Sequence, residues 1–174
     1  MPASWNELLL QKLSPHPKDN QAALLRVCIV GVGSELRGDD SAGLWVARAL
    51  LQDEHIAQAP HLLVVEGGPA PENHTGQIRA FQPDLVVLID AAHMDEPPGT
   101  VQWIPLEAID GMSASSHSLP LSILAGYLNL ELGGDVAVLG IQPGQNELDS
   151  DVSPSVRAAV DEILEGISQA LLRN

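Results

Sequence analysis

Residues 84–90 read DLVVLID: five aliphatic residues, Leu85 to Ile89, closed at each end by an aspartate. An apolar run of this length, rich in β-branched residues and lacking polar alternation, reads as a strand covered on both faces. Working outward, residues 26–32 (RVCIVGV) form a second such run, closed by Gly31 and Gly33. Residues 62–66 (LLVVE) end at Gly67-Gly68, and residues 135–142 (DVAVLGIQ) repeat the pattern. Between these runs the period changes. Residues 41–52 put Leu44, Ala47 and Leu51 on one helical face, a short helix fits 75–81, and another fits 119–131. Ser153-Pro154 caps a last helix that carries Val156, Val160, Ile163, Ile167 and Leu171 opposite Asp161, Glu162 and Glu165. Residues 101–104 read as a further strand, only about ten residues after 84–90, too close for a helical crossover and therefore antiparallel. The expectation is an α/β fold: a three-layer α/β/α sandwich with a five-stranded, mostly parallel sheet and one antiparallel strand.

A chain of 174 residues suits one domain able to bury its own core. Residues 1–25 are expected to be an N-terminal appendage, a short helix over 4–13 with capping-box spacing between Ser4 and Glu7 and then a proline-bearing linker. The domain proper is expected over 26–174. With eight Lys and Arg against 23 Asp and Glu, the net charge of −15 repels nucleic acid and anionic membrane, so neither is an expected partner. No apolar run approaches the roughly 18 residues of a membrane span. The N-terminus MPASWNELLLQ lacks the basic and apolar regions of a signal peptide, so the expected address is the cytoplasm. A single cysteine, Cys28, excludes an intramolecular disulfide; in mid-strand it reads as core rather than nucleophile.

In a sheet of this kind chemistry gathers beyond the carboxyl ends of the strands, where the winding reverses. The loop after the first strand, residues 31–40 (GVGSELRGDD), fails as a dinucleotide fingerprint, because Leu36 stands where the third glycine belongs and two aspartates open the helix. A nucleotide site using Glu66 as ribose-binding acid is a minor alternative. Asp39 reads as a helix-terminus cap. Asp40 has company: Asp90 ends its apolar strand at the same sheet edge. Of six histidines, His93 and His117 are placed to reach that crevice, and the residues alone do not choose between them. Two carboxylates and an imidazole suit zinc, nickel or iron(II) with open coordination positions. No HExxH helix and no G-x-S-x-G elbow is present.

Residues 31–43 (GVGSELRGDDSAG), 65–73 (VEGGPAPEN), 84–94 (DLVVLIDAAHM), 98–109 (PGTVQWIPLEAI), 115–124 (SSHSLPLSIL) and 138–143 (VLGIQP) resemble, in order, the maturation endopeptidases of [NiFe] hydrogenases. The APEN and GIQP elements are most similar to the branch serving the formate-hydrogenlyase hydrogenase. The resemblance implies an endopeptidase that removes a C-terminal extension from the hydrogenase large-subunit precursor once nickel is inserted. It implies that Asp40, Asp90 and His117 are the nickel-reading ligands, and so selects His117 over His93. It implies nickel supplied by the substrate and no tightly bound organic cofactor. Asp40 and Asp90 are the expected catalytic residues, in metal-dependent or aspartate-assisted hydrolysis. A non-catalytic, nickel-dependent docking chaperone for the same precursor is the alternative. Two positions depart from the family pattern: Ser34 stands where Asn is usual, and Glu66 where Asp is usual.

Overall fold

A computed structural model describes residues 4–13, 25–112 and 119–172. Its sheet has five strands, β1 (Val27–Val32), β2 (Leu62–Gly68), β3 (Leu85–Ala91), β4 (Val101–Ile104) and β5 (Asp135–Ile141), in the order β2-β1-β3-β5-β4. β1 runs parallel to β2 and β3, and β3 parallel to β5. β4 is antiparallel to β5, as its short separation from β3 requires. The helices are α1 (Trp5–Leu13), α2 (Ala42–Gln52), α3 (Glu54–Ala57), α4 (Thr75–Phe81), α5 (Ile109–Met112), α6 (Leu121–Leu132) and α7 (Pro154–Leu172).

Strand alternation sorts the side chains into two cores. Val27, Ile29, Leu85, Val87 and Ile89 pack beneath α1, α2 and α7. Cys28, Val30, Val86, Leu88 and Val138 pack on the opposite face beneath α4, α5 and α6. Every residue of β1 and β3 is buried, which is why those strands read as unbroken apolar runs. The three-layer sandwich is the observed architecture.

The capping box of α1 is formed in both directions: Ser4 N–H donates to Glu7 Oε2 at 2.8 Å, and Glu7 N–H to Ser4 Oγ at 3.2 Å. Trp5, Leu9 and Leu13 of this helix are buried. Trp5 Nε1 donates to Glu162 Oε1 of α7 at 2.7 Å, and Trp103 Nε1 to the Trp5 carbonyl at 2.9 Å. Gly166 of α7 leaves room for the Trp5 ring, since a Cβ there would stand 2.5 Å from Trp5 Cη2.

Three local expectations are corrected. Leu51 is exposed and Leu50 takes the core position, because the face of α2 toward the sheet is Gly43, Val46, Ala47 and Leu50. Helix α6 begins at Leu121, two residues later than expected, since Leu119 precedes a proline and Pro120 itself is extended at φ −54°, ψ 135°. Strand β2 continues through Gly67-Gly68, where the register against β1 shifts between Gly31 and Val32, so Gly67 is the extra residue of a bulge. The short turns of 3₁₀ helix at Gly38–Ser41, Pro71–His74 and Leu106–Ala108 carry no apolar period and have no counterpart in the expected elements.

Candidate functional site

From β1 the chain goes to β2 on one side, then returns to β3 on the other, so the winding reverses between β1 and β3. A crevice at the carboxyl ends of that strand pair is where ligands sit in sheets of this kind. Both candidate aspartates arise there: Asp90 is the penultimate residue of β3, and Asp40 lies in the 3₁₀ turn that carries β1 into α2.

Glycines set how tightly that turn meets the sheet. A Cβ on Gly43 would fall 2.2 Å from the Ile89 carbonyl oxygen and 2.4 Å from that of Val32. A Cβ on Gly31 would fall 2.2 Å from the Gly43 carbonyl oxygen. Backbone therefore rests on backbone, and Gly43 abuts the residue just before Asp90. Gly33, at φ +134°, lies against the Asp40 carbonyl, and its N–H donates to the Gly68 carbonyl at 3.1 Å, tying the loops after β1 and β2 together.

Asp39, Asp40 and Asp90 are all buried. An isolated buried carboxylate is costly, so each must be held by donors or cations. Asp39 is held by four protein donors. Its Oδ2 accepts from Gly144 N–H, Gln145 N–H and Ser153 Oγ, each at 2.8 Å, and its Oδ1 from Ser153 N–H at 2.6 Å. Asp39 therefore caps no helix, contrary to expectation: its donors all precede α7, and it binds the β5–α7 loop to the β1–α2 loop. Asp40 Oδ2 accepts from Ser34 N–H at 3.1 Å, so the loop after β1 wraps around this carboxylate. The Ser34 hydroxyl in turn accepts from Leu36 N–H at 3.4 Å.

The loop that follows Asp90 is fixed by Gln142. Its buried carboxamide oxygen accepts from Met94 N–H at 2.7 Å and Glu96 N–H at 3.4 Å, while its backbone pairs with Gly99 N–H and the Thr100 carbonyl. Residue-by-residue reading missed this brace, because Gln142 bonds to residues more than forty positions away. Glu66 lies at an exposed edge and accepts from Arg48 Nε at 2.9 Å; Arg48 also bonds Glu35. These two partners push the Arg48 guanidinium further up, the Glu35 bond first. Cys28 is sealed in the core, and burial pushes its thiol up to about 12. At neutral pH it is no thiolate and no nucleophile.

His93 is exposed, and its backbone N–H donates to the Met112 carbonyl at 2.6 Å. His117, the third expected ligand, lies outside the described residues. Among the described residues no group of three or more His, Cys, Asp and Glu side chains is gathered to hold a metal ion. The site as described is two buried carboxylates at one sheet edge, ringed by loops whose backbone is tightly fixed.

Comparison with known proteins gives the family. A family model described as hydrogenase maturation protease matches residues 46–170. The chain belongs to the hydrogenase maturation protease family. A putative hydrogenase maturation protease of Methanocaldococcus jannaschii is 33% identical over 141 residues, 79% of each chain. The hydrogenase 3 maturation protease of Escherichia coli K12 is 36% identical over 115 residues, 64% of this chain and 69% of that one. The crystal structure of a [NiFe] hydrogenase maturation protease from Thermococcus kodakarensis superposes with a TM-score of 0.75 at 35% identity, covering 86% of this chain and 94% of that one. The maturation protease described here is accordingly a peptidase. Among its described residues no helix is long and apolar enough to cross a membrane.

Proposed function

We propose that this maturation protease removes a C-terminal extension from a [NiFe] hydrogenase large-subunit precursor, and does so only after nickel insertion. The observation that carries this reading is the burial of Asp40 and Asp90 where β1 and β3 end, in a family whose members are named for hydrogenase maturation. Nickel here is part of the substrate. Thiolates of the precursor hold the ion and leave coordination positions that Asp40, Asp90 and His117 fill. An empty precursor gives those carboxylates no cation, so it is bound weakly; selectivity is the difference between the two affinities, tenfold for each ~1.4 kcal/mol.

Hydrolysis adds a water oxygen to the scissile carbonyl carbon. The C–N bond then breaks, and the departing amine takes up a proton. The carboxylates accept the proton of the attacking water, while the substrate's own ion aligns the precursor. Ser34, Gly33 and Gln142 act behind the site by fixing the loops that carry Asp40 and follow Asp90. Their rigidity matters, since a misplacement of about 1 Å can cost 10²-fold in rate.

The test uses purified precursor, nickel-loaded or empty, mixed with this protein alone. Wild type shortens the loaded precursor and leaves the empty one intact. Asp40→Asn and Asp90→Asn each fold but do not shorten the loaded precursor. Normal cleavage by both variants contradicts the proposal.

A further inference from the structure

Leu36 and Leu148 are each 62% exposed, large aliphatic side chains on two loops more than a hundred residues apart in sequence. The backbone makes those loops one body. Asp149 N–H donates to the Leu36 carbonyl at 2.8 Å, and Asp39 N–H to the Gln145 carbonyl at 2.9 Å. Gly38, at φ +47°, is packed so closely that a Cβ there would stand 2.3 Å from Ser150 Oγ. The Asp39 carboxylate closes the join. The two leucines therefore stand on adjoining, mutually bonded backbone, a fixed ledge whose main chain has little conformational freedom to lose on binding.

The ledge adjoins the catalytic edge. Ser34 N–H is 3.1 Å from Asp40 Oδ2. Two residues of chain reach at most about 7 Å, so the Leu36 backbone lies within roughly 12 Å of that carboxylate. That ceiling is at most about four residues of extended peptide at ~3.3 Å each. Around the leucines, Glu35, Glu147, Asp149 and Asp151 are exposed carboxylates, against the exposed Arg37 and Arg157, the latter bonded to the Val152 carbonyl.

We infer that Leu36 and Leu148 form a docking ledge for the precursor, receiving an apolar side chain within about four residues of the cleavage point, with a basic residue beside it. Continuity with the Asp40–Asp90 edge and the acidic surround select this occupant. The inference rests on the proposed protease function and deepens it.

The experiment measures cleavage of the nickel-loaded precursor by the full chain, with Leu36→Ser and Leu148→Ser combined. Leu130→Ser is the control, because Leu130 on α6 is 87% exposed and apolar but lies near the opposite end of the sheet. Expected is a kcat/KM at least tenfold lower for L36S/L148S, carried by KM, with nickel(II) affinity and melting temperature as in wild type. L130S cleaves as wild type does. Glu147→Gln with Asp149→Asn raises KM and weakens its dependence on salt. Wild-type KM in L36S/L148S overturns the ledge while leaving the protease function standing. An equal loss in L130S, or a parallel loss of nickel affinity in L36S/L148S, overturns it too. A wild-type protein that never shortens the precursor overturns the function on which the ledge rests.

Discussion

Replacing Asp39 by alanine removes one carboxylate and four accepted hydrogen bonds, at 2.6 to 2.8 Å, from Gly144, Gln145 and both donors of Ser153. The Gly144 and Gln145 N–H groups belong to exposed residues, and water can replace their partner at small cost. The Ser153 N–H and hydroxyl are more enclosed, and each loses about 1–3 kcal/mol when left without an acceptor. Removing a buried charge returns part of its desolvation penalty, so the estimate for Asp39→Ala is about 2–5 kcal/mol. In a chain of this size that is a fall of roughly 4–20 °C in melting temperature. Ser153→Ala removes only the hydroxyl bond and is expected to cost about 1 kcal/mol. The two are read by urea denaturation, singly and combined, since residues in direct contact are expected to couple rather than add. A loss below about 1 kcal/mol for Asp39→Ala, or strict additivity with Ser153→Ala, refutes the assignment of Asp39 as the clamp between α7 and the β1–α2 loop.

Gly43→Ala places a methyl group 2.2 Å from the Ile89 carbonyl oxygen, so it is expected to lose more than about 3 kcal/mol, or to fail to fold; an unchanged denaturation midpoint contradicts the close approach. Gln142→Ala leaves the Met94 and Glu96 N–H groups without their acceptor; cleavage is expected to slow about tenfold or more, with a loss of 1–3 kcal/mol, and assays of rate and stability check both. Cys28 keeps its proton in the folded state up to about 12, against an ordinary value of 9.0. Between those limits the unfolded chain has lost the proton and the folded chain has not, so stability falls with rising pH by about 1.4 kcal/mol per unit. The Cys28→Ala variant loses this component, and the wild-type-minus-variant difference across alkaline pH isolates it. Thiol reagents are expected to label Cys28 only in denaturant.

The sheet was legible because burial on both faces leaves its mark in composition. Leu85 to Ile89 can be nothing polar, and the aspartate that ends the run stands out against it. The antiparallel β4 followed from spacing alone. Asp39 was expected as a cap and is instead a clamp, because its partners Gly144, Gln145 and Ser153 are over a hundred residues away and bond mostly through backbone. Gln142 was hidden for the same reason. The face of α2 differs by one residue from expectation: Gly43 lies against Ile89, and Leu50, seven residues on, shares its face, so Leu50 is buried and Leu51 exposed. The bulge at Gly67 reflects pairing with β1, which no local pattern carries.

The central proposal is that Asp40, Asp90 and His117 share one nickel ion. Anomalous X-ray scattering at the nickel edge from crystals of the wild-type protein soaked in nickel(II) measures this directly. One peak, with an oxygen of Asp40, an oxygen of Asp90 and an imidazole nitrogen of His117 each within about 2.2 Å, is the predicted result. A nickel ion bound elsewhere, or held by only one of the three, contradicts it.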